Sequence, residues 1–160
     1  MLILNSGGTF NKRYNAKSGK LEVPYDNNAI ETIMKSVNGA YNLAGVVYKD
    51  SLEMDSEDRK MLANIIYEST DDVFVIVHGT DTIHITAEFL SEIFDDRKIV
   101  LTGAMKPLEI DNVEASFNLG MAIGFVNAEV KNGVYVCMSG MVEEWDKISK
   151  NKNIGKFELV

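Results

Sequence analysis

The chain has 160 residues, 46% of them hydrophobic and 25% charged, with a formal net charge of −8. That length suits one domain with a sizeable core, and an acidic surface without a basic run argues against nucleic acid and anionic membrane as partners. No apolar stretch approaches the roughly 20 residues of a membrane helix, Met1–Gly8 has no positive flank of the signal-peptide kind, and the single cysteine, Cys137, has no internal disulfide partner, so the expected location is the cytoplasm.

Leu2-Ile3-Leu4 reads as a buried strand that stops at Gly7-Gly8. A polar loop follows from Thr9 to about Lys20, with four basic residues and Gly19, and is expected to be exposed and mobile. Asp26-Asn27-Asn28 is a capping cluster ahead of Ile30, Ile33, Met34 and Val37, which fall at helical spacing. Gly45 to Tyr48 is the next strand candidate. Asp55 or Ser56 caps a helix whose apolar face is Met61, Leu62, Ile65 and Ile66. Val73 to Val77 is an unbroken apolar run, the mark of a central parallel strand buried on both faces. Phe89, Leu90, Ile93 and Phe94 give the following helix its core side. Ile99-Val100-Leu101 is another strand, and Ala115, Leu119, Ala122, Ile123 and Val126 form the next helix face. Val134 to Cys137 is a further strand. The segment from Asn151 is polar and leads into a short edge strand at Phe157 to Val160.

Strands and helices alternate. That predicts a doubly wound, mostly parallel sheet of Rossmann or flavodoxin type, a three-layer α/β/α sandwich with right-handed crossovers. Ligands of such sheets bind beyond the carboxyl ends of the strands. The segments at that edge are Asn5-Ser6-Gly7-Gly8-Thr9, Asp50-Ser51, His78-Gly79-Thr80-Asp81-Thr82, Thr102-Gly103-Ala104-Met105-Lys106-Pro107 and Ser139-Gly140-Met141. Glycines let backbone N–H groups approach a ligand, and the hydroxyls supply nucleophiles and donors. Taken singly, each is also what any strand-to-helix turn uses for turning and capping. Gly7-Gly8 lacks the later glycines of a dinucleotide fingerprint. Two histidines and one cysteine give no metal-ligand spacing. His78, ending the central strand, reads as a hydrogen-bonded structural histidine rather than a base.

Together and in this order, Gly7-Gly8-Thr9, Asp50-Ser51, His78 to Thr82, Gly103 to Pro107 and Phe117-Asn118-Leu119 resemble the bacterial-type L-asparaginase (asparaginase/glutaminase) family. The resemblance runs from Leu2 to Lys150. It covers that family's N-terminal domain only, so residues 1–160 read as a single such domain with the C-terminal domain absent. It implies Thr9 as nucleophile, with Tyr14 (or its rival Tyr25) assisting from the loop. It implies a second set of Thr80, Asp81 and a lysine, for which Lys150 is the match and Lys147 and Lys152 are neighbours. Ser51, Glu53 and Asp81 match groups that hold the substrate's amino and carboxyl ends. Backbone N–H groups near Gly8 and Thr80, and at Ala104, are candidates for an oxyanion site, and Gly79 is a further substrate-binding candidate. Leu52 departs from the family, which usually places a polar side chain there.

The implied function is hydrolysis of L-asparagine or a related small-molecule side-chain amide to the acid and ammonia. No cofactor and no metal are implied, and a homodimer or larger homo-oligomer is expected. Leu52 and the missing domain favour an alternative, a catalytically weak or inactive ligand-binding or regulatory module of the same fold. A nucleotide-binding, flavodoxin-like role is a more distant reading.

Overall fold

The computed structural model describes the whole chain, Met1–Val160. Its first strand, β1 (Leu2–Gly7), is buried along its entire length. A 3₁₀ turn at Thr9–Asn11 and a small antiparallel hairpin, β2 (Arg13–Asn15) with β3 (Lys20–Glu22), occupy the segment expected as loop. Helix α1 (Asn28–Met34) is shorter than its apolar spacing predicts and ends before Val37. Asp26 accepts from Asn28 N–H at its start. The side chain of Asn27 turns inward instead, to accept from Asn5 Nδ2 at 3.0 Å.

Strand β4 (Asn42–Lys49) leads through a 3₁₀ turn at Ser51–Glu53 to α2 (Ser56–Glu68). Asp55 is the cap of α2. Its carboxylate accepts from the Glu57 and Asp58 N–H groups, and Asp58 returns the bond to Asp55 N–H, a reciprocal capping box. Then follow β5 (Val73–Val77), α3 (Ile83–Ser91), β6 (Lys98–Thr102), α4 (Asn112–Val126) and β7 (Gly133–Met138). Strand β8 (Met141–Glu144) folds back antiparallel on β7. The chain ends in a second hairpin, β9 (Ile148–Asn151) with β10 (Lys156–Leu159).

The main sheet has the order β4-β1-β5-β6-β7-β8, parallel except for β8. Leu62, Ala63 and Ile66 of α2 and Ile83, Ala87 and Leu90 of α3 cover one face. Ile30 and Met34 of α1 and Ala115, Leu119, Ala122, Ile123 and Val126 of α4 cover the other. This is the doubly wound three-layer α/β/α arrangement. The strand run Val73–Val77 is central, between β1 and β6.

Further details differ from the sequence reading. Met61, expected on the apolar face of α2, is half-exposed, because the buried side of that helix runs through Leu62, Ala63 and Ile66. Ile93 points to solvent, because the buried stripe of α3 runs through Ile83, Ala87 and Leu90 to Phe94. The segment at Phe157 pairs with β9 in a separate two-stranded sheet, and β8 takes the edge of the main sheet. Phe10 and Asn11, placed in an exposed loop by their polar surroundings, are buried under the turn after β1.

After β1 the chain crosses to β4 on one side, then returns to β5 on the other. The order therefore reverses between β1 and β5, and the crevice beyond their carboxyl ends is the topological switch point. Replacing Asp55 by alanine removes the capping box and is expected to destabilise the domain by about 1 kcal/mol, lowering Tm by about 2–4 °C in a thermal melt.

Candidate active site

Thr9 follows β1 and Thr80 follows β5, so the two threonines flank the switch point. Their loops are pressed together. A Cβ placed at Gly8 would lie 2.4 Å from Gly79 Cα, and one at Gly79 would lie 2.5 Å from Ser51 Cβ. Neither position admits a side chain, and the φ of +75° at Gly8 is itself a glycine conformation. The ends of β1, β5 and β4 thus meet at van der Waals contact.

The Thr9 turn is built by its neighbours. Ser6 Oγ donates to Val77 O at 2.8 Å, and Gly7 N–H donates to Asn5 Oδ1 at 3.0 Å. Asn11 Nδ2 donates to Asn5 Oδ1 at 2.9 Å and to Gly7 O at 2.6 Å. Asn5 and Asn11 are fully buried amides that satisfy each other and the turn, which holds Thr9 half-exposed above them. Gly8 N–H is committed to Lys49 O at 2.9 Å, whereas no protein acceptor takes the N–H of Thr9.

Lys150 arrives from β9. Its Nζ lies 2.8 Å from Thr80 Oγ1 and 2.8 Å from Asp81 Oδ1. The ammonium is a donor, so the Thr80 oxygen accepts and its own proton is left to point elsewhere. Lys147 pairs with Glu144 instead, and Lys152 is exposed. Thr80 is buried and Asp81 is partly open.

Ser51 is buried beside Gly79, while Leu52 is 71% exposed and Glu53 is exposed. Asp50 accepts from Lys12 Nζ at 2.6 Å. Burial pushes the Asp50 carboxyl up, but the bonds from Lys12 and from Leu52 N–H outweigh it and hold the group below its ordinary range. Lys12, Tyr25, Tyr48, Asp50, Leu52 and Glu53 line a cleft of about 500 Å³ between the first hairpin and the end of β4. Ala104 is fully buried, and no protein acceptor takes its N–H. Tyr14 lies on β2 and is 61% exposed, and its N–H donates to Glu109 Oε2 at 2.8 Å. Tyr25, more exposed still, packs at a tilt on Tyr48. A roomier groove of about 660 Å³ between α1 and α4 contains none of Thr80, Asp81 or Lys150, so size does not mark the chemistry here.

The sequence reading did not anticipate the Lys12–Asp50 pair or the amide pair Asn5–Asn11. A lysine or asparagine in a polar loop carries no periodic signal, and only the fold shows which of them turn inward.

The family model for "Asparaginase, N-terminal" matches residues 1–155. The chain belongs to the asparaginase family. A glutamyl-tRNA(Gln) amidotransferase subunit of Methanococcus maripaludis is 31% identical over 147 residues, covering 86% of this chain and 34% of that protein. The thermostable L-asparaginase of Thermococcus kodakarensis superposes with a TM-score of 0.86 at 25% identity, over 99% of this chain and 50% of that one. A probable cytoplasmic L-asparaginase of Campylobacter jejuni gives 0.81 at 27% identity, over 99% and 52%. This asparaginase-family chain thus spans a third to a half of the length of these relatives. No helix in it is long and apolar enough to cross a membrane.

His78 follows β5 and is fully buried in this asparaginase-family domain, and burial lowers its pKa from 6.5 to about 4, the bond to Gly79 O only partly opposing this. The unfolded chain therefore takes up a proton first as pH falls. His78 contributes its full share of stability above about pH 6.5 and loses it as the pH drops to about 4, by about 3 kcal/mol. Denaturant titrations between pH 7 and pH 4 are expected to show this loss, and His78→Gln is expected to flatten that part of the curve.

Proposed function

We propose that this domain hydrolyses the side-chain amide of asparagine or a related small amide, with Thr9 as nucleophile. The observation that carries the reading is the Lys150 ammonium held at 2.8 Å from both Thr80 and Asp81, across a switch point from Thr9. A threonine hydroxyl needs a base or an orienting neighbour before it attacks. The Thr9 oxygen adds to the amide carbon, and its proton passes to the leaving nitrogen, which departs as ammonia. Water then cleaves the resulting ester, releasing the acid and restoring Thr9. Thr80, hydrogen-bonded by Lys150, has its own hydroxyl proton free for a substrate or water. Asp81 balances the lysine charge and, with Glu53 nearby in sequence to Ser51, supplies carboxylate for a substrate ammonium. Ser51 offers a hydroxyl to the substrate carboxylate. Free N–H groups at Thr9 and Thr80 are suited to the oxyanion. Tyr14 assists Thr9 when the hairpin moves inward.

A second reading, a ligand-binding module with little turnover, is favoured by Leu52, whose exposed apolar side chain sits beside Ser51. Ammonia release from L-asparagine, D-asparagine, L-glutamine and a β-aspartyl amide separates the two. Thr9→Ala and Thr80→Ala are each expected to lower kcat by at least about 10³-fold with Tm little changed. Full activity in both variants rules out the mechanism. A thermal shift by one compound without ammonia from any selects the binding module.

Association of copies belongs to the same proposal. Leu52, Val113 and Phe117 leave large apolar side chains in water. Light scattering is expected to report a dimer or larger, and an active strict monomer refutes this part.

A further inference from the structure

His78 is a fully buried titratable group beside the candidate site that the mechanism above leaves idle. Its Nδ1 lies 2.8 Å from Gly79 O, and its Nε2 lies 2.8 Å from Thr86 Oγ1. Thr86 in turn accepts from Arg59 Nε at 3.1 Å, and Arg59 is anchored by its Nη1 to Asp55 O at 2.9 Å. All three side chains are buried. Each step of this relay has only one sense. A carbonyl can only accept, so Nδ1 carries the imidazole proton. A neutral ring then leaves Nε2 as an acceptor, and the Thr86 hydroxyl donates to it while accepting from Arg59. A second ring proton would face the guanidinium and the apolar core, and burial with Arg59 nearby opposes it.

The carbonyl held this way belongs to the Gly79–Thr80 peptide. No peptide bond of the chain is cis. In a planar trans peptide the C=O and N–H point in opposite directions, so anchoring Gly79 O on the buried ring aims Thr80 N–H away from it. That N–H has no acceptor in the protein, although a buried backbone donor is almost always paired. Its partner is therefore a ligand or water. Gly79 has no Cβ to hinder rotation of this peptide, and turning it over would replace a donor by a carbonyl.

We propose that His78 is a positioning residue: the relay Arg59–Thr86–His78 locks the Gly79–Thr80 peptide so that Thr80 N–H is presented as an oxyanion donor. This rests on the amidase reading above, and its test has one arm that does not need turnover. In ¹⁵N NMR, His78 is expected with Nδ1 protonated and Nε2 bare, and added L-aspartate is expected to shift the Thr80 amide. Thr86→Val removes the hydroxyl with little change of shape. It is expected to abolish that aspartate-induced shift and to lower kcat by about 10-fold or more, toward the 10²–10³ typical of losing one oxyanion donor, with KM changed less than about threefold. Thr86→Ser is expected to restore both. An Nε2–H tautomer, or a Thr86→Val variant with unchanged kcat and an unchanged Thr80 shift, overturns the proposal. A role confined to stability lowers Tm in Thr86→Val but leaves kcat per folded molecule intact, which also overturns it. Absence of ammonia from the wild type defeats the amidase reading alone, and the tautomer and the Thr80 shift then decide the positioning claim.

Discussion

The site depends on how closely the chain approaches itself at Gly8, Gly79 and Ser51. Parallel strands about 5 Å apart would ordinarily end in loops that splay to make room for side chains. Here a methyl at Gly8 or Gly79 would collide with a neighbouring backbone or Cβ, so the loops stack and hold the two threonines at one crevice. Everything polar in the site is arranged around that contact: the amide pair beneath Thr9, the lysine reaching Thr80, and the ring under Gly79. The sheet order places the crevice, since only between β1 and β5 does the winding reverse.

Around this contact the polar groups are nearly all satisfied from inside. The Asn5 and Asn11 amides bond to one another and to the turn. The His78 ring has a partner on each nitrogen. Cys137, whose thiol burial pushes up to about 12, donates to Asn118 O. The groups left unengaged include the N–H donors of Thr9, Gly79, Thr80 and Ala104. A buried scaffold with its bonds closed, surrounding donors left open, is a preorganised arrangement: few dipoles need to turn when charge develops.

Much of this was legible in the sequence, and the reasons are physical. Val73–Val77 could only be a strand covered on both faces, and Ala115, Leu119, Ala122, Ile123 and Val126 repeat at helical spacing strongly enough to name the buried face of α4. Strand ends in such a sheet converge on one edge, so the sequence alone groups the hydroxyls and glycines there. Lys150 was reached through the family resemblance and not through periodicity, since the polar residues of the hairpin after β8 carry none. The relay from Arg59 through Thr86 to His78 joins side chains 27 and 8 residues apart, and neither separation follows from a helix or strand repeat. Ile93 misled because apolar character alone does not fix direction: the buried stripe through Ile83, Ala87 and Leu90 continues to Phe94 and leaves Ile93 in water.

Lys150 is carried by a two-stranded hairpin outside the main sheet, joined to the core through Ile148 and Phe157. Two strands have little independent stability in water, so the hairpin belongs to a less protected cooperative unit than β5, which carries Thr80 at its end. The two sides of the ion pair therefore sit on parts of the molecule that open at different free energies. Detachment of the hairpin alone would strip Thr80 and Asp81 of their cation while the sheet remained folded. Occupancy of the assembled site is then an equilibrium of its own, separate from global unfolding, and a substrate that bridges Thr80 and the hairpin would draw it toward the closed form by mass action.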